Sequence, residues 1–189
     1  MLWYGWGDPA LARPLRAEVV TLLEQALGVE QGAREPVALE EVRVPPADLP
    51  PAARSALAAA VGVEHLRDDH ESRVRHTRGR STPDLLRLRA GDAADAPDAV
   101  VVPADHEEVL AVLRVCAEHR VAVVPYGGGT SVVGGLAPRR AGFAGVVALD
   151  LRRLDGLVAV DAESLTATLR AGTLAPAAEE LLGEHGLTI

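Results

Sequence analysis

Apolar residues recur at helical spacing over residues 14–28. Leu15, Val19, Leu22, Leu23, Ala26 and Leu27 share one face, and Gly28 stops the run. Residues 1–12 lack that period and read as an irregular arm. Val37 to Val44 alternates like a short strand or extended segment, and Pro45, Pro46, Pro50 and Pro51 make a stiff extended linker. An Ala-rich helix over 51–61 follows, then a second helix over 65–78 ended by Gly79. From Pro97 the pattern changes. Ala99 to Val102 is a continuous apolar run, as a strand buried on both faces requires. Asp105 stands three residues before Glu108 as an N-terminal cap, and Val109, Leu110, Val112, Leu113, Cys116 and Ala117 line one side of the next helix. His119 and Arg120 close it with positive charge at the negative end of the helix dipole. Val121 to Pro125 is a second buried strand, so this β-α-β unit predicts parallel strands with a right-handed crossover.

Gly145–Leu151 reads as a third strand. Leu157–Asp161 and Leu165–Ala171 form a hairpin about Ala162, Glu163 and Ser164, and a helix covers 174–185. The change from alternating to hairpin order sets a subdomain boundary near Arg152–Gly156. Leu187, Thr188 and Ile189 begin to look like a strand, read either as a short terminal strand or as the opening of a longer protein.

The chain has 189 residues and is 48% hydrophobic, enough for one domain or one and a half with a sizeable core. Aromatics are 3%, so Ala, Val and Leu must build that core. The net charge of −8 gives no basic face for nucleic acid. All 19 basic residues are Arg, and those between Arg67 and Arg89, mixed with Asp68, Asp69, Glu71 and Asp84, read as a solvated helical face. One cysteine, Cys116, fits a reducing compartment and reads as core. No apolar run is long enough for a membrane span, and Met1–Gly7 lacks the pattern of a signal peptide, so a cytoplasmic location is the expectation.

The candidate chemistry lies in Pro125, Tyr126, Gly127, Gly128, Gly129, Thr130 and Ser131, continuing through Val132 and Val133 to Gly134 and Gly135. Five glycines fall within nine residues at the C-terminal end of a buried strand, where open α/β sheets place ligands. Successive bare amides suit an anion such as a diphosphate, and Thr130 and Ser131 add hydroxyls. No Gly-Lys-Ser/Thr follows, which excludes a Walker loop, and no helix follows directly, which excludes the nicotinamide fingerprint.

This loop resembles the FAD diphosphate loop of the FAD-linked oxidase family, the vanillyl-alcohol oxidase or PCMH type of flavin fold. Pro97–Pro103 and Leu165–Gly172 are similar to the same family. Trp3–Pro9 and Arg75–Leu86 resemble its alkylglycerone-phosphate synthase branch. The resemblance implies an α+β fold with an α/β-like first subdomain: a PCMH-type FAD-binding domain over 97–189, incomplete, preceded by an N-terminal arm and helical region over 1–96. The first subdomain would span about 97–151 and the second would start in 152–189. It implies FAD as cofactor and a flavoenzyme that exchanges acyl for alkyl on acyl-dihydroxyacetone phosphate, a small lipid-like substrate. A D-lactate or glycolate type dehydrogenase, and an inactive fragment or binding module, are the alternatives. Catalytic residues are expected beyond Ile189. The loop holds no His or Cys, so the FAD is expected to be non-covalent.

Six histidines show no metal-ligand spacing, and no metal site is expected. His76 reads as a surface or capping residue rather than a ligand group. Asp155, Asp161 and Glu163 form no acid/base pair. Trp3 and Trp6 either dock the arm on another subunit, as in a homodimer, or on the missing domain, or cover a local apolar patch.

Overall fold

The valine runs become three parallel strands of one sheet: β2 (Ala99–Val101), β3 (Val121–Tyr126) and β4 (Gly145–Asp150). The structure is a computed structural model that describes residues 2–7, 10, 13–28 and 35–189; Asp8 and Pro9 of the synthase-like arm lie outside the described residues. β4 runs between β2 and β3, and every one of its residues is buried. That placement explains its unbroken apolar sequence, since both edges are paired and both faces covered. The register sets Val123 and Ala99 beside Val147, and Tyr126 beside Asp150 at the C-terminal edge. α5 (His106–Glu118) makes the crossover from β2 to β3. Asp105 caps it, accepting from the Glu108 amide at 2.9 Å, while Glu108 accepts from the Ala104 amide at 2.7 Å. Cys116 is buried on its inner side, and burial pushes the thiol up to about 11.

The region before Pro97 is part of this same body. β1 (Leu66–Arg67) adds an antiparallel edge strand to β2. α2 (Pro51–Val61) packs Ala53, Leu57 and Val61 into one core with Val112, Val147 and Leu149. On the other side, Trp3, Val42, Val74 and Leu88 form a second core with α3 (His70–Arg75) and α4 (Thr82–Arg89). Trp3 is thus in a local core, edge-on to Tyr4 at 5.2 Å, whereas Trp6 is exposed.

Several segments depart from their local sequence pattern. The helix over 65–78 is instead a single turn, the two-residue strand β1 and the short α3, because Leu66 pairs with Val101 and Asp69 caps a new helix through the Ser72 amide. The strand at Val37–Val44 is a single 3₁₀ turn over Leu39–Glu41 with one bridge from Arg43 to Asp92. Three arginines of the stretch leave the expected solvated face, while Arg67 and Arg87 stay exposed. Arg73 donates to the carbonyls of Pro97 and Pro45, both at 2.7 Å, and Arg78 bonds Asp95 and the Asp92 carbonyl. A guanidinium can be buried in this way because its forked donors saturate several oxygens at once.

β5 (Leu157–Asp161) and β6 (Thr166–Leu169) form the hairpin as a separate two-stranded sheet, followed by α6 (Ala175–Gly183). Asp161 holds its turn by accepting from the amides of Glu163 and Ser164. Leu187–Ile189 does not form a strand; Thr188 and the Ile189 amide bond to Glu179 instead. α1 (Ala17–Leu27) buries none of its residues, and Gly28 ends it in the left-handed conformation.

Candidate cofactor site

β3 delivers the glycine loop to the C-terminal edge of the sheet, next to the last residue of β4. Pro125, Gly127, Gly128 and Thr130 are exposed, Ser131 is half-buried, and Tyr126 and Gly129 are buried. Among the described residues, none of the five amides from Gly127 to Ser131 donates a hydrogen bond. A Cβ added at Gly127 would meet nothing within 4 Å, and one at Gly128 would meet the Leu174 side chain at 3.5 Å. The loop therefore offers a bare run of backbone donors to open space. This donor set fits a diphosphate, which needs several convergent N–H groups and no side chain in its path. The one carboxylate at the neighbouring strand end, Asp150, is already compensated, as described below, so it does not oppose an anion.

The loop's shape is imposed from behind. Tyr126 turns inward, and its hydroxyl donates to the Arg75 carbonyl at 2.8 Å. Burial raises its pKa. Gly129 has φ +71°, and an added Cβ would lie 2.2 Å from the Tyr126 hydroxyl, so glycine is required there twice over. The His76 ring packs on the Tyr126 ring with centroids 4.4 Å apart. His76 Nε2 lies 2.8 Å from Asp150 Oδ2, and Nδ1 lies 2.7 Å from the Ser72 carbonyl. Both neighbours are acceptors, so the two bonds exist together only when both ring nitrogens carry hydrogen. Asp150 also accepts from the Arg152 amide at 3.0 Å and from Arg152 Nε at 2.7 Å. Burial pushes the Asp150 carboxyl upward, but the bonds from His76 and Arg152 outweigh it and hold the group below the usual carboxylate range.

The far end of the loop is gripped by the same segment. The Arg80 amide donates to the Ser131 carbonyl at 2.7 Å. Gly79 sits so close that an added Cβ would lie 2.0 Å from that oxygen. The connector between α3 and α4 thus touches both Tyr126 and Ser131, the first and last loop residues that face the protein.

His76 is therefore the C-terminal cap of α3, its Nδ1 on the Ser72 carbonyl, but not a surface residue: it is buried behind the loop, between Tyr126 and Asp150. Sequence reading also missed Asp150, Arg152, Gly79 and Arg80. Asp150 could have been found from strand length, since it is the polar residue that closes the third buried run. The roles of Gly79 and Arg80 leave no local signal.

Residues 97–189 match a family model described as an FAD binding domain. An alkyldihydroxyacetonephosphate synthase of Dictyostelium discoideum is 34% identical over 153 residues, covering 80% of this chain and 24% of that protein. A glycolate oxidase subunit of Bacillus subtilis is 37% identical over 78 residues, covering 41% of this chain and 16% of that protein. A solved alkyldihydroxyacetonephosphate synthase superposes with a TM-score of 0.86 at 27% identity, over 98% of this chain and 39% of that one. A solved p-cresol methylhydroxylase shares the fold with a TM-score of 0.54 at 20% identity, over 75% of this chain and 27% of that one. The chain spans about a quarter of the length of the Dictyostelium synthase. Loop, sheet edge and likeness agree: residues 97–189 are an FAD binding domain, and the chain has the PCMH-type FAD-binding fold.

Proposed function

We propose that this chain binds the diphosphate of FAD with Pro125–Ser131, non-covalently, and serves an enzyme that exchanges acyl for alkyl on acyl-dihydroxyacetone phosphate. FAD when bound supplies the electrophilic flavin ring; this chain's residues hold the diphosphate end. The observation that carries the reading is the run of five unbonded amides at the strand edge, with no side chain in front of Gly127. Non-covalent attachment is supported by the absence of His or Cys in the loop and by His76, whose two nitrogens are both engaged with Asp150 and Ser72. Within the chain, 97–189 is the cofactor domain, and 1–96 supplies its back wall.

The synthase reading is favoured over the hydroxy-acid reading by coverage. Likeness to the solved synthase covers 98% of the chain, whereas likeness to the glycolate oxidase subunit covers 41% of it. The proposed substrate is a small lipid-like molecule, the proposed location cytoplasmic, and the exposed Trp6 a contact of a homodimer. Among the described residues no helix is long and apolar enough to cross a membrane. The test uses protein from the intact gene. Flavin released on acid precipitation, with labelled long-chain alcohol entering acyl-dihydroxyacetone phosphate, is the expected result. Flavin that stays in the pellet refutes non-covalent attachment. Flavin bleaching by D-lactate or glycolate without alkyl incorporation selects the dehydrogenase.

A further inference from the structure

Three guanidiniums are buried in the connector region, and one of them is left uncompensated. Arg78 pairs with Asp92 and Asp95, and Arg73 donates through two of its nitrogens to carbonyl oxygens. Arg80 is 5% exposed, donates through Nη1 to the Trp3 carbonyl at 2.9 Å, and leaves Nε without a partner. Among the described residues no carboxylate lies within ion-pair distance of it. The Arg75 guanidinium repels it, and the Tyr126 hydroxyl near it, its pKa raised by burial, is neutral and offers no counter-charge. Burial pulls its pKa down from the usual value, as expected of a cation short of counter-charge. A buried charge without a partner is strongly disfavoured unless an anion compensates it. Its own backbone amide binds the Ser131 carbonyl, and its guanidinium lies within electrostatic reach of Tyr126, the inward-facing residue at the start of the loop.

We propose that Arg80 is the built-in counter-charge for the cofactor's diphosphate: a positioning residue that acts through the low-dielectric wall of the loop, while the loop amides make the contact. This rests on the FAD reading given above and adds to it a residue outside the glycine motif. The missing acidic partner is then the diphosphate itself. A fixed cation also costs no reorganisation when the anion arrives, unlike a mobile surface arginine.

The test separates charge from hydrogen bonding. Arg80→Gln keeps an amide donor for the Trp3 carbonyl but removes the charge; Arg80→Lys keeps the charge. FAD dissociation constants are measured by flavin fluorescence on protein from the intact gene, with the melting temperature of the cofactor-free protein as the second readout. Arg80→Gln should weaken FAD about tenfold, the scale of one unit charge acting across several ångströms of protein. Its cofactor-free melting temperature should be equal to or above wild type, because an uncompensated buried charge has gone. Arg80→Lys should restore affinity to within about threefold. The proposal is overturned if Arg80→Gln binds FAD like wild type, if Lys and Gln lose affinity alike, or if Arg80→Gln melts lower without FAD, which would make Arg80 an anchor for Trp3. A wild-type protein that takes up no FAD defeats the functional reading itself, and is told apart because it needs no variant.

Discussion

Two glycines separate what the loop needs in order to fold from what it needs in order to bind. Gly79 lies against the loop, and an added Cβ would be 2.0 Å from the Ser131 carbonyl, against an ordinary contact of 3.4 Å or more. Gly79→Ala must push the connector off the loop and break the 2.7 Å bond from the Arg80 amide. Losing that bond costs about 1 kcal/mol, and forcing a methyl into packed backbone costs about 1–3 kcal/mol more. The expected loss is therefore about 2–4 kcal/mol, or a fall of roughly 4–16 °C in melting temperature for a chain of this size. Gly127 is the opposite case. A Cβ there meets nothing within 4 Å, and its φ lies outside the left-handed range. Gly127→Ala should leave stability unchanged or raise it by about 0.4–1 kcal/mol through the unfolded state. It should nevertheless weaken FAD about 10- to 100-fold, since the methyl stands where the diphosphate must approach and displaces one charge-assisted hydrogen bond. Circular dichroism melts without cofactor and flavin titrations read the two effects independently. Unchanged FAD affinity in Gly127→Ala would refute the diphosphate reading of the loop. An unchanged melt for Gly79→Ala would refute the claim that the connector shapes it.

Asp150→Asn should destabilise the protein by about 3 kcal/mol at neutral pH, because it removes one partner from a buried hydrogen-bonded pair. The folded pKa of Asp150 is depressed, so its contribution is complete above the unfolded value of 3.8 and is lost as pH falls through the lower folded value. Urea melts should therefore show the gap between wild type and variant closing below pH 3.8; a constant gap would refute the assignment. Gly129→Ala should cost about 2 kcal/mol from its positive φ and its clash with Tyr126, and Tyr126→Phe should recover part of it in a double-mutant cycle; additive losses would show that the two do not touch. Cys116 should resist alkylation in the folded protein, since burial holds its pKa at about 11; rapid labelling at pH 8 would contradict that packing.

The legible parts of this chain are those whose cause is local. The runs at 99–101, 121–126 and 145–150 could be read as strands from their valine and alanine; 99–101 and 145–150 are buried on both faces, while 121–126 is the edge strand and only partly covered. Asp105 announced α5 because a cap acts within three residues. The glycine loop was readable because bare backbone is itself the binding chemistry. The illegible parts depend on partners far along the chain. Leu66 and Arg67 leave the helical pattern because β2, some 34 residues later, offers an open edge. Arg73, Arg78 and Arg80 look like solvated charge in composition, and only the carbonyls and carboxylates brought to them by folding make them interior residues. Gly79 looks like a helix stop and is in fact a point of close approach to Ser131.

The same distinction explains how the site is divided between the two halves of the chain. The loop's amides come from 127–131, but its conformation is held by the Arg75 carbonyl, the His76 ring, Gly79 and the Arg80 amide, some 50 residues earlier. A flexible glycine run would lose much of its binding energy to ordering, so a rigid back wall is what turns it into a pre-formed cradle. It follows that a piece of this chain beginning at Pro97 would keep every loop glycine and lose its support. We expect such a piece to bind FAD more weakly than the 189-residue chain even where circular dichroism shows the parallel sheet intact. Equal affinity would mean that the loop holds its shape unaided, and that the buried pair of His76 and Asp150 serves stability alone.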